Sequence, residues 1–207
     1  DDLVAYLCDR GPIEQRADAD MYVELAGQTA GPLLEYGCGT GRILASLVPL
    51  GRPVWGIDSV PAMLRRAHAR THRSQRLTLV RGDMADVQIP RQFGLIVLAR
   101  SVLGYLPGPT PVAALLRRAQ RMLAPDGLVV IDLANQQRVI DETREPASSW
   151  SVSWDERLLA HVADRSMQTW RREHSLLRIT DTFNVSRGPR DVSLSDSADI
   201  HLYRPGQ

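Results

Sequence analysis

The sequence predicts an α/β fold: a mostly parallel sheet with helices on both faces, followed by a C-terminal antiparallel β segment. Three observations predict it. Short runs of leucine and β-branched residues, such as FGLIVLA and GLVVIDL, alternate with stretches of helical period. A glycine-rich turn, GCGTG at 37–41, follows the first of these runs, where open α/β sheets bind their ligands. Past Leu133 the chain turns to apolar–polar alternation, as in WRREHSLLRITDTFNV.

Each element has its own signal. Residues 18–30 (DADMYVELAGQTA) read as a helix with Met21, Leu25 and Tyr22 on an apolar face, ended by Gly31 and Pro32. PLLEYG is a short buried strand, and TGRILASLVPL a helix that Gly51 ends. PVWGID is a second strand, and VPAMLRRAHART a second helix with Pro61 in its first turn. LTLVRGD and FGLIVLA are the third and fourth strands. TPVAALLRRAQRML is a helix after a proline-rich turn, and GLVVIDL a fifth strand behind the turn APDG. Residues 135–150 are polar and turn-rich, and antiparallel strands are expected from about Trp154 to Tyr203. The domain reading is an N-terminal segment at 1–30, an α/β core at 31–134 and an antiparallel region at 135–207.

Composition narrows the function. The 207 residues, at 23.0 kDa, suffice for one sizeable domain with a buried core. A formal charge of +1 offers no field to recruit nucleic acid or an acidic membrane. The longest apolar runs are too short to span a bilayer, and no signal peptide is read at the start. Cys8 and Cys38 make no disulfide framework, so a reducing cytoplasm is the expected setting. All 25 basic residues are arginine, which removes Walker, Schiff-base and general-base lysine chemistry. His68 and His72 stand four apart, but RRAHARTHRSQR reads as a solvated basic face, and no metal is expected.

The glycine spacing is the sharpest signal. The dinucleotide fingerprint G-x-G-x-x-G would need glycine at Arg42; here the third glycine is Gly41, giving E-x-G-x-G-x-G from Glu35. That pattern resembles motif I of the class I S-adenosylmethionine-dependent methyltransferases, whose core is Rossmann-like, and further motifs follow in order. The resemblance implies S-adenosylmethionine as cofactor, held at Glu35, Gly37, Cys38, Gly39 and Gly41. In that family an acid after the second strand reads the ribose hydroxyls; here it is Asp58, with Ser59 and Met63 beside it. Asp83 and Met84 in RGDMADV correspond to the residues lining the adenine. Ala99 and Arg100, after FGLIVL, correspond to those facing the methionine moiety. The upstream helix resembles the family's cofactor lid, where Tyr22 and Tyr6 would pack on the methionyl end. Glu35 is a candidate partner for the cofactor's ammonium or for the glycine turn itself.

The resemblance implies methyl transfer to O or N of a small-molecule acceptor. Such an in-line displacement needs alignment and exclusion of water, with no metal and no covalent intermediate. Tyr105, Asp132 and Asn135 are best placed to touch the acceptor. His161, His174 and His201 are candidate bases, and no catalytic residue is singled out. Two other readings compete: a nicotinamide-dependent oxidoreductase, disfavoured by Arg42 and the missing lysine, and a non-catalytic protein that keeps the fold for binding or assembly. The family usually ends in a helix and a hairpin. Either residues 154–203 supply those last strands, or the chain stops before them and leaves an open sheet edge through which two copies could pair.

Overall fold

The apolar runs become five parallel strands of one sheet: β1 (Leu33–Tyr36), β2 (Val54–Asp58), β3 (Leu77–Arg81), β4 (Phe93–Leu98) and β5 (Leu123–Ile131), in the order β3-β2-β1-β4-β5. The computed structural model describes residues 2–9, 18–133, 147–171 and 176–202. β1 and β4 are buried along their whole length, which is why they carry no polar alternation apart from Glu35. The helices are α1 (Asp2–Cys8), α2 (Ala19–Gly27), α3 (Arg42–Leu47), α4 (Pro61–Arg70) and α5 (Pro109–Arg121). Short 3₁₀ turns lie at Val48–Leu50 and Val102–Tyr105.

Pairing in register sets Leu33 beside Val54 and Leu95, so one face of the sheet is continuous across β2, β1 and β4. Leu33, Val54, Leu95 and Val97 on that face pack with Tyr22 and Ala26 of α2, Leu44 and Leu47 of α3 and Ala67 of α4. The alternate positions, Leu34, Tyr36, Ile57 and Ile96, are buried on the other face. Leu115 and Ala119 of α5 are likewise buried.

Four sequence expectations need correction. In α2 Met21 is 44% exposed and off the apolar face, whereas Tyr22 is fully buried with Ala26, and Leu25 packs half-buried against the same cluster. β5 begins at Leu123, and APDG is a bulge inside it, with Asp126 at φ 61° and the pairing shifted between Phe93 and Leu95. α4 ends at Arg70, and His72 lies beyond it at φ 52°, so His68 and His72 do not share a helix face. The first antiparallel strand starts at Ala147, ahead of Trp154.

Strands β6 (Ala147–Asp155), β7 (Ala160–Arg171), β8 (Leu176–Arg187) and β9 (Arg190–His201) form a separate antiparallel sheet in sequential order. Among the described residues β3 and β5 are the edge strands of the parallel sheet. The buried Asp155 shapes the β6–β7 turn by accepting the N–H groups of Arg157 at 3.0 Å and Leu158 at 2.9 Å. Val162, Leu177 and Phe183 supply apolar burial within this sheet. The chain divides into two compact units, Asp1–Leu103 with Gly108–Leu133, and Gly104–Pro107 with Ala134–Gln207. Among the described residues no helix is long and apolar enough to cross a membrane.

Candidate cofactor site

The strand order reverses between β1 and β4, and ligands of open α/β sheets bind at the carboxyl ends of the strands flanking such a switch point. The glycine turn occupies that place. Gly37, Gly39 and Gly41 all have positive φ, at 63°, 52° and 76°, a region that residues with a Cβ avoid. Their surroundings differ. A Cβ on Gly41 would meet Ala67 Cα of α4 at 2.8 Å, so this glycine lets two helices approach. A Cβ on Gly37 would strike Val102 Cγ2 at 2.2 Å. A Cβ on Gly39 would meet nothing within 4 Å, so the turn presents bare backbone to open space there.

Asp58, at the end of β2, is bonded to that open glycine. Its Oδ2 accepts the Gly39 N–H at 2.8 Å, and its Oδ1 accepts the Val60 N–H at 2.9 Å just before α4. The carboxylate thus ties turn to helix while each oxygen keeps lone-pair capacity. Ser59 is exposed and Met63 half-buried beside it. Glu35, on β1 just before the turn, is 4% exposed, and its Oε2 has no hydrogen-bond partner among the described residues. Burial pushes its carboxyl well above the usual range, opposed by Arg42 and a bond from the Leu44 backbone. Cys38 is buried, and burial raises its thiol above the ordinary value.

The loop after β4 carries a second set of predicted residues. Ala99 is buried, and Arg100 and Ser101 are consecutive left-handed residues at φ 52° and 58°. Asp132 holds them there: its Oδ2 accepts the Arg100 N–H at 3.0 Å, and its backbone oxygen accepts the Ser101 N–H at 2.9 Å. Such conformations persist where surrounding bonds over-determine them, and they cluster at functional loops. The Tyr22 hydroxyl donates to the same Asp132 oxygen at 3.5 Å. Burial raises Tyr22 to about 12, helped by the charges of Asp132 and Asp18. After β3, exposed Asp83 accepts the Ala85 N–H at 2.8 Å, and Arg118 of α5 donates to the carbonyls of Met84 at 3.0 Å and Ala85 at 2.5 Å.

The remaining predicted residues have other surroundings. Tyr6 lies in α1 with the Arg66 guanidinium 4.9 Å above its ring. Tyr105 is 54% exposed and belongs to the second unit. His161 makes an edge contact with Trp154, their ring centroids 5.0 Å apart. His201 is half-buried on β9. Asn135 and His174 lie outside the described residues.

Sequence reasoning missed a set of ion pairs around the turn. Asp18, at the start of α2, pairs with Arg42 at the start of α3, Oδ2 accepting at 2.9 Å in one of two bonds. Asp9, just after α1, accepts the Thr40 hydroxyl at 2.7 Å, Arg66 at 3.0 Å and also Arg70. The available signal was a threonine between two glycines and arginines on the inner side of a helix that otherwise reads as solvated.

A parallel sheet in this order, with a glycine turn at its switch point and an acid at the end of the neighbouring strand, defines a Rossmann-like unit for a nucleoside-bearing ligand. A family model described as a methyltransferase domain matches residues 33–127. Among solved structures, DesVI of Streptomyces venezuelae is 27% identical, with a TM-score of 0.75 over 92% of this chain and 78% of that one. CalS10, an amino pentose methyltransferase from Micromonospora echinaspora, shares the fold at 22% identity and a TM-score of 0.74, covering 98% of this chain and 82% of that one. A dTDP-3-amino-3,6-dideoxy-alpha-D-glucopyranose N,N-dimethyltransferase of Streptomyces fradiae is 31% identical over 57% of this chain and 45% of its own length. A ubiquinone biosynthesis O-methyltransferase of Rhodopseudomonas palustris is 32% identical over 50% of this chain and 40% of its own. The chain spans about half the length of the curated relatives it matches. The match to a methyltransferase domain falls in the parallel unit, whose motifs resemble those of the class I S-adenosylmethionine-dependent methyltransferases. The unit's residues fit that cofactor: bare backbone at Gly39, a fixed carboxylate at Asp58 and an orphaned buried oxygen on Glu35.

Proposed function

We propose that the chain transfers the methyl group of S-adenosylmethionine to a nitrogen or oxygen of a small-molecule metabolite. One observation carries this reading: the glycine turn of a methyltransferase domain is open at Gly39, with Asp58 bonded to it, at the switch point of the sheet. When bound, S-adenosylmethionine supplies an activated methyl group on a sulfonium centre. The part of the chain is to bind and align. Gly39 leaves room for close backbone approach, and Asp58 offers free lone pairs to ribose hydroxyls. Glu35 offers its unpartnered oxygen to an ammonium group, for which a buried anion is a matched partner. Asp83 and Met84 are assigned to the adenine, and the strained Arg100–Ser101 turn to the methionine end. Alignment and exclusion of water are enough for a displacement that forms no covalent enzyme intermediate.

Similarity to DesVI over 92% of the chain, and 31% identity to a dTDP-amino-sugar N,N-dimethyltransferase, support an amine on a sugar as the first acceptor class to try. The likeness to an O-methyltransferase keeps hydroxyl acceptors in the same test. Incubation with methyl-labelled S-adenosylmethionine and a panel of nucleotide-linked amino sugars and phenols should transfer label to at least one member, with release of S-adenosylhomocysteine. Protein that binds the cofactor yet labels no acceptor in such panels would favour a binding role over transfer.

A further inference from the structure

Three carboxylates from separate elements hold the glycine turn at neighbouring positions: Asp58 at Gly39, Asp9 at Thr40 and Asp18 at Arg42. The Asp9 site is the most elaborate. Its Oδ1 accepts the Thr40 hydroxyl at 2.7 Å, and its Oδ2 accepts Arg66 at 3.0 Å and Arg70. Arg70 also donates to Thr40 Oγ1 at 3.2 Å, so the hydroxyl has both its proton and a lone pair engaged. The side chain of Asp9 is 13% exposed, those of Arg66 and Arg70 25% and 27%. The end of α1, one side of α4 and the turn therefore meet in one charged network. Thr40 stands between two glycines of positive φ, in a turn with little stiffness of its own. Fixing such a turn at the moment of binding costs conformational entropy, and a clamp already in place lowers that cost.

We propose that Asp9 is a positioning residue for the cofactor turn, acting through the Thr40 hydroxyl with Arg66 and Arg70 as anchors. It holds Gly39–Gly41 in the shape that receives the ligand, so α1 serves the site through its last contact. This rests on the reading of the turn as a cofactor site.

The test compares Asp9→Asn, Thr40→Val, Thr40→Ser and Arg65→Ala with the unaltered chain. Arg65 pairs with Asp2 on the exposed side of α1, so its loss reports on the seating of α1 alone. Two quantities are read: amide hydrogen exchange at Gly39 and Gly41 in the free protein, and affinity for S-adenosylhomocysteine by calorimetry. Asp9→Asn and Thr40→Val should each speed exchange there and weaken binding by about tenfold, the loss of one charge-assisted bond. The double variant should be no worse than either single one, because both cut the same link. Thr40→Ser and Arg65→Ala should behave like the unaltered chain. Unchanged exchange in Asp9→Asn, or an equal effect from Arg65→Ala, would overturn the proposal. Unaltered protein that bound no S-adenosylhomocysteine, while exchange still followed Asp9 and Thr40, would refute the cofactor reading and leave the clamp standing.

Discussion

Glu35 is a carboxyl group that the fold alone does not favour. It is almost fully buried on β1, one oxygen is unpartnered, and burial drives it toward the neutral form. The folded state holds this proton more tightly than the unfolded chain does. Stability therefore falls as pH rises from the ordinary carboxylate range toward the raised value. Glu35→Gln should raise Tm more at about pH 7.5 than at about pH 4.5 while weakening S-adenosylhomocysteine binding. An equal gain at both pH values, or unchanged affinity, would show that the carboxylate serves no ligand. Asp58 is the converse case, a half-exposed acid whose two oxygens already accept backbone N–H groups. Asp58→Ala should cost about 1.5–3 kcal/mol of binding free energy for S-adenosylhomocysteine, measured by calorimetry. If Tm falls and affinity does not, the acid serves only the turn before α4.

The glycine turn links β1 to α3 and shows how far a sequence pattern reaches. The spacing of Gly37, Gly39 and Gly41 names the turn, because three glycines are needed where φ is positive or a neighbour is close. Gly39→Val should abolish ligand binding in a protein that still folds, since its Cβ meets no atom of the chain. Left-handed strain of about 1–2 kcal/mol should lower Tm by a few degrees. A variant that bound normally would move the ligand away from this turn. What the pattern did not reveal is what grips the turn. Asp9 and Asp18 reach Thr40, Arg42, Arg66 and Arg70 across separations that only the packing of α1, α2 and α4 defines. The bulge at Asp126 was hidden for a related reason: APDG carries turn residues, and the flanking pairs of β4 with β5 absorb them. At the start of α2, hydrogen bonds from Arg42 hold Asp18 below its usual carboxylate range, outweighing burial. That stabilisation is present above the unfolded pKa and is lost as pH falls through the depressed folded value. Asp18→Asn should accordingly lower Tm at neutral pH, with the gap to the unaltered protein closing in acid. A gap that persisted in acid would assign the loss to packing.

The molecule is built of two compact units of different grain. The parallel unit was readable because its buried strands are short, largely apolar runs, as in β4, with helices between them. The antiparallel unit was readable in kind, by alternation, but its start at Ala147 was masked by the serine-rich stretch ASSWSVSW, where the apolar partners are tryptophan and valine on one side of β6. One relative is named an N,N-dimethyltransferase and another an O-methyltransferase, whereas Gly39, Asp58 and Glu35 gather at one glycine turn. The account therefore stands or falls on that turn. Titration calorimetry of the chain with S-adenosylhomocysteine, S-adenosylmethionine and NAD tests it most directly. The two sulfur ligands should bind with one site each and NAD should not. Binding of NAD with neither sulfur ligand, or binding of none of the three, would contradict the account.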